Sequence, residues 1–473
     1  MGLRSLVGDR VFYRKLFAVM LPILVQNVIT NFVNLLDNVM VGQIGTEPMS
    51  GVAIVNQLLF VYNVCIFGAL AGAGILASQY YGSGDNRGLA DILRSKLYIA
   101  FCTVAVFMAV LIFFGEELIM QFIHEGEQGL DLAATLVYGK KYLRIMLWQM
   151  LPFALMQVYA STLRETSETM LPMKAGIIAV LTNLVGNYIL IFGKFGFPQL
   201  GVEGAAIATV ISRYVEAAIV IIWSHRHTEQ KPFFAMLTSS WRIPGPLLKQ
   251  VLLLGLPLLV NEFLWSGGMT MLNQCYSMRG LEVMSATNIS TTVSNLFFCA
   301  FLAMGNATAI IVGQLLGAGE LEKAVDEDFK LIAFAVVLCV GIGAVLAVLA
   351  PFIPLLYNTT DAVRTLASQL LTVVAVCMPM YAFTNSCYFT LRSGGKTMIT
   401  FVFDSLYLWS LCVPLAFILS RYTAVKILPM YIIIQSLEIL KCIIGFYMVR
   451  SKKWVKDLVN TYAKSLSLKA KGF

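Results

Sequence analysis

The chain has 473 residues, of which 58% are hydrophobic and only 13% are charged, and its mean hydropathy is +0.78. Since about a quarter of the residues in soluble globular proteins are charged, this composition excludes that class and predicts a polytopic protein embedded in the lipid bilayer. The net charge of +8 is explained by membrane topology and anionic lipid headgroups. It therefore indicates no nucleic-acid partner.

Twelve apolar segments are long enough to cross a bilayer, which takes about 20 residues in a helix. In chain order they are about 15–42, 48–80, 92–114, 134–163, 171–193, 203–224, 247–278, 284–316, 329–350, 366–391, 398–420 and 427–449. The first segment is too long for a signal peptide and lacks a small-residue cleavage site. The sequence thus predicts an all-α polytopic membrane protein with twelve transmembrane helices.

The distribution of basic residues predicts the orientation. With the N-terminus inside, 24 of the 34 Lys and Arg residues fall on the inner side and 8 on the outer side, as the positive-inside rule requires. One connector, Gly319–Lys330, is acidic although it is placed inside, but acidic residues contribute little to this rule. We expect a multi-pass protein of the plasma membrane (the inner membrane where a cell has two) of a bacterium or archaeon, with both termini cytoplasmic.

An internal repeat divides the chain. A shift of 235 residues aligns Leu21–Asp85 with Leu256–Glu320, with 14 of 65 positions identical, including "QYYGSGD" (79–85) against "QLLGAGE" (314–320). A weaker echo pairs Thr162–Pro172 with Thr390–Thr400. Since six is an even number of helices, the two lobes are parallel repeats. The predicted domains are an N-lobe (1–224), a cytoplasmic connector (225–246), a C-lobe (247–450) and a basic cytoplasmic tail (451–473).

This duplication favours a transporter that moves its substrate between the lobes, although repeats also occur in channels. A channel would not need coupled lobes. Flux that saturates with substrate and stops when an ion gradient collapses would identify a carrier.

The first segment carries an acid, Asp37, on a polar face. At 100° per residue its polar side chains fall within an arc of about 120°, and they are Asn27, Thr30, Asn31, Asn34, Asp37 and Asn38. An ionised carboxylate in a membrane costs about 2.5–3.5 kcal/mol, so we expect Asp37 to bind a cation, H⁺ or Na⁺, in a wet interior. The alternative is that Asp37 meets interfacial water.

The seventh segment, which is the repeat of the first, has a similar polar face. Its members are Glu262, Ser266, Met269 and Asn273, and Asn273 aligns with Asn38. Glu262 is a candidate functional acid or a structural hydrogen-bonding acid. Two opposite-charge pairs three residues apart, Arg213 with Glu216 and Glu438 with Lys441, are predicted to neutralise each other. Asp404 has no local partner and is a further candidate for a second site.

Several of these residues resemble one known family, the multidrug and toxic compound extrusion (MATE) transporters. The resemblance covers nearly the whole chain: Pro22 and Asp37 in the first helix, "QYYGSGD" at the end of the second and, most specifically, "NLVGNYILIFGKFGFPQLGVEGAAIATVISR" (183–213). It implies two six-helix bundles forming a V. It also implies cation-coupled export of bulky, often cationic amphiphilic small molecules, by a monomer that has no cofactor other than its coupling cation.

The resemblance also implies a cation site made of Asp37, Asn183, Asn187 and Thr209. Some members have a second aspartate where this chain has Asn187, so here one carboxylate serves one H⁺ or one Na⁺. Glu262 resembles the seventh-helix acid of other members, displaced by about a turn, and Asn385 is nearest to a tenth-helix aspartate that this chain lacks.

The cavity of such a transporter would be lined from the polar faces of both opening helices. The predicted lining residues are Asn27, Asn31, Asn34, Asn38, Glu262, Ser266, Met269 and Asn273. The expected mechanism is alternating access, in which the cation binds Asp37 in the outward-open state, biases helix one near Pro22 and drives release of the exported compound.

The runner-up function is a flippase of a lipid-linked precursor, which would need a more basic central cavity than the few unpaired intramembrane Lys and Arg residues here provide. A membrane enzyme is disfavoured, because the chain has no DDxxD, HExxH or GxSxG motif. The stretch "GGKT" (394–397) fails as a phosphate-binding loop, since position 390 is Thr where that pattern needs Gly. No catalytic residue is predicted.

Overall fold

The computed structural model describes residues 6–122 and 132–461, and within these ranges the chain forms twelve long helices and no strand. The helices are α1 (Arg10–Gly42), α2 (Thr46–Gly82), α3 (Asn86–Phe122), α4 (Leu132–Glu165), α5 (Met170–Phe192), α6 (Val202–Arg226), α7 (Gly245–Ser277), α8 (Leu281–Gly317), α9 (Leu321–Leu349), α10 (Asp361–Ser393), α11 (Thr397–Tyr422) and α12 (Ile427–Arg450). The predicted all-α polytopic fold with twelve helices is confirmed.

Eleven of these helices are both long and apolar enough to cross a membrane. The remaining one, α4, has 34 residues and is therefore about 50 Å long, but it carries Lys140, Lys141 and Arg144 in its first half. It lies over the fourth predicted segment, so all twelve predicted segments are helical.

Five helices contain a proline beyond their first turn: Pro22 in α1, Pro152 in α4, Pro257 in α7, Pro379 in α10 and Pro414 in α11. Each removes a backbone donor and favours a kink. Pro22 and Pro257 are equivalent in the 235-residue repeat, so both lobes open with a helix that is weakened at the same position.

The start of α9 differs from the prediction. The acidic stretch Gly319–Lys330 was expected to be a connector, whereas α9 begins at Leu321. The stretch contains three Glu and two Lys residues, which are strong helix formers. As a result Asp328 lies inside the helix, and its side chain is completely buried.

The helix α11 is irregular. It contains two π-helical stretches, Val402–Leu406 and Leu408–Cys412, between regular ends. Wider turns of this kind occur often at functional sites, because they change the direction in which side chains project.

The described residues group into two compact units. The first unit takes those within Met1–Leu24, Ile75–Asp85 and Leu253–Phe473, and the second takes those within Val25–Gly74 and Asn86–Leu252. Helices α1 and α2 therefore contribute residues to both units. The predicted lobe boundaries (1–224, 225–246, 247–450 and 451–473) remain a prediction.

In the first unit, α2 and α8 cross at two equivalent glycines. A Cβ added at Gly82 would lie 2.0 Å from the Gln314 carbonyl oxygen, and one added at Gly317 would lie 1.9 Å from the Gln79 carbonyl oxygen. Only glycine permits such a close backbone approach. The repeated Gln-x-x-Gly pattern thus forms a symmetrical crossing of the two helices.

The segment after α12 packs against this crossing. The Gln79 side chain donates from Nε2 to the Ser393 carbonyl (2.9 Å) and accepts at Oε1 from the Leu458 backbone N–H (2.8 Å). Trp454 is completely buried, and its indole N–H donates to the Val449 carbonyl at 3.0 Å. This part of the predicted tail is therefore held in the first unit.

In the second unit, the chain after α6 packs in a similar way. A short helix, Pro232–Met236, buries Phe233 and Phe234 almost completely. The Arg94 guanidinium donates from Nε to the Leu237 carbonyl at 3.1 Å, and Lys231 Nζ donates to the Thr166 carbonyl at 3.1 Å.

Candidate cation site

Three polar side chains of the second unit, those of Asn183, Asn187 and Thr209, lie around Asp37. Asn187 Nδ2 donates to Asp37 Oδ1 at 2.8 Å, and the Asn183 amide group lies 3.1 Å from Asn187 Nδ2 and 3.0 Å from Thr209 Oγ1. The hydrogen-bond network favours the Asn183 amide turned over, with its oxygen accepting from Thr209. In that orientation its nitrogen donates to both Asp37 oxygens, at 2.8 and 3.0 Å.

Close packing of α5 on α6 positions the amides and the hydroxyl. A Cβ at Gly186 would lie 2.9 Å from the Ala208 Cβ, and one at Gly204 would lie 2.6 Å from the Leu190 carbonyl oxygen. Asn183 and Asn187 are four residues apart and share one face of α5. The small residues let α6 approach that face and bring Thr209 to it.

The amides of this site are buried, and one of their oxygens is unpaired. The exposed fraction is 5% for Asn183 and 1% for Asn187, while Asp37 is half-buried. Among the described residues Asn187 Oδ1 has no hydrogen-bond partner. A carboxylate next to an unpaired amide oxygen and a hydroxyl is the oxygen donor set that a hard cation prefers, and the carboxylate alone suffices for a proton.

Arg213 lies one helical turn beyond Thr209 on α6, but it is engaged elsewhere. Its Nη1 donates to Glu216 Oε2 at 2.9 Å, so the predicted pairing of these two residues is confirmed. Glu216 is thus the direct partner of Arg213, whose positive charge also acts on Asp37 from a distance, and the direct partners of Asp37 are amide donors.

The other polar residues predicted on α1 are spread along the helix. Asn27 is half-buried and Asn31 is exposed, whereas the side chains of Asn34 and Asn38 lie outside the described part of the structure. Pro22 is buried inside α1. The structure therefore brings together the four residues predicted for the cation site, and leaves the predicted lining of α1 as a prediction.

The predicted residues of α7 lie in the first unit. Glu262 and Ser266 are half-buried, and Met269 and Asn273 are exposed. Glu262 interacts electrostatically with Arg392 and Asp404. Neither these exposures nor this interaction shows a role for the α7 face. The predicted lining of the cavity by α7 therefore stays a prediction.

Asp404 has partners that the sequence did not reveal. Lys441 Nζ donates to Asp404 Oδ1 at 2.8 Å, and Asn261 Nδ2 donates to its Oδ2 at 3.2 Å. Glu438 instead accepts from Thr384 Oγ1 at 2.6 Å. The predicted pairing of Lys441 with Glu438 is therefore wrong, because Asp404 on the neighbouring helix α11 offers the ammonium a closer carboxylate.

Asn261 is the polar residue of α7 that sequence reasoning missed. It is 1% exposed, and its side chain also accepts from Ser405 Oγ at 2.7 Å. Asn261 precedes Glu262 and lies off the polar stripe of α7. One sequence signal could have identified Asn261: an amide inside an apolar helix needs hydrogen-bond partners.

The sequence model of the MatE family matches residues 22–189 and 257–418, which together make up more than half of the chain. The chain belongs to the MatE family. The two matched stretches correspond to the two halves of the internal repeat, and the first contains Asp37, Asn183 and Asn187. The resemblance to multidrug and toxic compound extrusion transporters is thereby confirmed.

Several known MatE-like proteins are similar over most of their length. The probable multidrug resistance protein NorM of Thermotoga maritima is 25% identical over 95% of this chain and 94% of its own. The multidrug resistance protein MdtK of Yersinia enterocolitica is 26% identical over 86% and 87%. A crystal structure described as "MATE in the bent conformation" superposes with a TM-score of 0.84 at 19% identity, covering 97% of this chain and 98% of that one.

Proposed function

We propose that this MatE protein is a cation-coupled antiporter that exports bulky, often cationic amphiphilic compounds by alternating access. The observation that carries the proposal is the site around Asp37, in which one carboxylate accepts hydrogen bonds from the amides of Asn187 and Asn183, while Asn187 Oδ1 has no hydrogen-bond partner among the described residues. The names of its relatives NorM and MdtK, both multidrug resistance proteins, support export of such compounds.

The charge of the site sets its stoichiometry. Asp37 supplies one negative charge, and the side chains in contact with it, Asn187 and Asn183, are neutral. One H⁺ or one Na⁺ therefore neutralises the site. Neutralising the Asp37 carboxylate in a poorly solvated pocket changes the free energy of the protein substantially. Such a change can shift the equilibrium between two conformations.

A cationic substrate and the coupling cation would compete for this negative charge. In the outward-open state, the cation moves down its gradient onto Asp37 and favours release of the exported compound. Pro22 leaves α1 without one backbone hydrogen bond, so α1 is the helix that we expect to bend. A solved relative is described as being in a bent conformation, which agrees with a fold that can change conformation.

We place the transporter in the plasma membrane as a monomer with both termini cytoplasmic. A flippase for a lipid-linked precursor is the alternative. Three cations inside the helices have acidic partners: Lys96 pairs with Glu165, Arg213 with Glu216 and Lys441 with Asp404. Cations committed to acids are poorly placed to bind a pyrophosphate, which supports the antiporter over the flippase.

The test uses proteoliposomes loaded with a fluorescent cationic dye, on which a proton or a sodium gradient is imposed separately. We expect Asp37→Asn to reduce gradient-driven dye flux at least tenfold. Asp361→Asn is the matched control, because the Asp361 side chain is 95% exposed, and it should transport like the parent.

Undiminished flux in Asp37→Asn would reject the site. If neither gradient moves the dye and the vesicles scramble a labelled lipid, the flippase replaces the antiporter.

A further inference from the structure

A second acid without a cationic partner lies in the first unit, far along the chain from Asp37. Asp328 of α9 is 0% exposed. Its Oδ1 accepts from Thr390 Oγ1 at 2.5 Å, and its Oδ2 has no hydrogen-bond partner among the described residues. Buried polar atoms are nearly always paired, so this oxygen needs an explanation.

A second unpaired oxygen lies on α10, one helical turn before Thr390. Ser386 is 1% exposed, and within residues 6–122 and 132–461 its Oγ has no partner either. Ser386 and Thr390 are four residues apart on α10, so they are neighbours on one helix face. Asp328 bonds to Thr390, which places the unpaired hydroxyl within about one helical turn of the carboxylate.

The surroundings of these oxygens are apolar. Ile332, one turn after Asp328 on α9, packs with Cys387 and Phe389 of α10 in one buried cluster. The carboxylate is therefore shielded from bulk water. An isolated ionised carboxylate in such a place is strongly unfavourable.

The nearby basic side chains contact groups other than Asp328. On α9, Lys330 pairs with Asp326 at 2.6 Å and Lys323 pairs with Glu320 at 2.9 Å. Lys15 of α1 lies 4.0 Å from Glu327. Arg392 of α10 lies over the Phe389 ring at 5.4 Å. The described ion pairs thus leave the charge of Asp328 unbalanced.

The other half of the repeat shows how an equivalent place is neutralised. Lys96 of α3 is fully buried, and its ammonium donates to Ser161 Oγ at 3.0 Å, to Thr162 Oγ1 at 3.2 Å and to the carboxylate of Glu165. Thr162 corresponds to Thr390 in the repeat. The first half therefore holds a carboxylate, hydroxyls and a tethered cation.

The second half has a carboxylate and the equivalent threonine but lacks the lysine, and Phe389 stands where the same echo places Ser161, so Ser386 is a hydroxyl of this half alone. In the register that aligns Gln79 with Gln314, Lys96 corresponds to Leu331. In the weaker echo that pairs Thr162–Pro172 with Thr390–Thr400, Glu165 corresponds to Ser393. The acid has moved to α9, one helical turn before Leu331. Since no described side chain supplies an ammonium here, we infer that a bound cation supplies the positive charge.

We propose that Asp328, Ser386 and Thr390 form a binding site for a monovalent cation, which takes the place that the Lys96 ammonium occupies in the first half of the repeat. The cation is either a proton bound to Asp328 Oδ2 or a sodium ion bound to Oδ2 and the Ser386 hydroxyl. The site is separate from Asp37, and it stands whether or not Asp37 couples transport.

The test is infrared spectroscopy of the purified full-length protein, recorded as the difference between the parent and Asp328→Asn. Spectra are taken in choline chloride and in sodium chloride. A protonated Asp328 gives a carboxylic acid C=O band in the difference spectrum in both salts. A sodium site gives carboxylate bands that shift between choline and sodium.

Carboxylate bands that are the same in both salts would overturn the proposal, because Asp328 would then be ionised without a bound cation. Asp326→Asn is the matched control, since Asp326 lies on the same helix, is partly exposed and already pairs with Lys330. Its difference spectrum should show carboxylate bands that are insensitive to sodium.

A second variant, Leu331→Lys, supplies a tethered ammonium at the position of Lys96. It should ionise Asp328, which abolishes the C=O band or the response to sodium that the parent shows. If this variant retains the spectrum of the parent at Asp328, the equivalence with Lys96 is wrong and the proposal fails.

Discussion

The contact between Asp37 and Asn187 joins an acid and an amide of nearly the same shape. Asn187 Nδ2 is 2.8 Å from Asp37 Oδ1, so the two side chains face each other directly across α1 and α5. Such a pair can in principle exchange its members and still present one carboxylate and one amide. A structural role needs the hydrogen bond, whereas a cation site needs the charge.

We therefore predict that the exchange of the two residues rescues transport. Asp37→Asn alone should lose gradient-driven dye flux. The double variant Asp37→Asn/Asn187→Asp should recover the flux to within about tenfold of the parent, a difference that corresponds to about 1.4 kcal/mol. The reason is that one negative charge returns to the same pocket. Flux is measured in proteoliposomes with equal amounts of folded protein.

The single variant Asn187→Asp is the control for this exchange. It places two carboxylates within hydrogen-bond distance, and like charges that close cannot both stay ionised. A double variant that transports no better than Asp37→Asn would show that the position of the acid matters more than its charge.

The sequence predicts the residues of the candidate cation site but not all of the ion pairs. The polar face of α1 identified Asp37, and the family resemblance added Asn183, Asn187 and Thr209, which the structure brings together. The pairing of Asp404 with Lys441 could not be predicted, because the two residues lie on different helices. A helical face shows the direction of a side chain but not the neighbour that it meets.

At the level of elements, apolar runs predicted all twelve helices but not all of their ends. The start of α9 at Leu321 was missed because the stretch before Lys330 is acidic, and an acidic stretch resembles an exposed connector. The burial of Asp328 within it results from packing against α10, which no local pattern encodes. One π-helical stretch of α11, Val402–Leu406, contains Ser405, which bonds to Asn261 of α7, and no local pattern predicts that contact.

The crossing of α2 and α8 should not tolerate side chains. We predict that Gly82→Ala and Gly317→Ala each destabilise the protein by about 1–3 kcal/mol, the usual effect of overpacking, because the new Cβ would lie 2.0 or 1.9 Å from a backbone oxygen. The measurement is thermal unfolding of the purified protein in detergent.

Gly341→Ala is the matched control for the crossing. Gly341 lies inside α9, and nothing lies within 4 Å of a Cβ added there, so alanine should leave stability unchanged or raise it by up to about 1 kcal/mol. Equal unfolding temperatures for all three variants would mean that the helices can separate at the crossing without loss of stability.

For the whole molecule, the balance of buried charge distinguishes two kinds of acid. Glu165, Glu216 and Asp404 each have a cationic side chain within 4.0 Å. Among the acids that the structure describes inside the helices, Asp37, Asp328 and Glu438 have hydrogen-bond donors instead. Tethered cations neutralise the first kind within the fold, and we propose that mobile cations neutralise Asp37 and Asp328.

If Asp37 serves both substrate and coupling cation, the two ligands must oppose each other by equal factors. We predict that a saturating concentration of the coupling cation weakens the binding of a cationic dye by about 5–150-fold, the usual range of coupling between sites, and that saturating dye weakens cation binding by the same factor. Dye binding is followed by fluorescence polarisation in detergent, first in choline at high pH and then with added sodium or protons. The Asp37→Asn variant should still bind the dye, but with an affinity that neither cation changes. If the dye affinity of the parent is the same in all of these conditions, the two ligands do not share a carboxylate, and the coupling must use an acid other than Asp37.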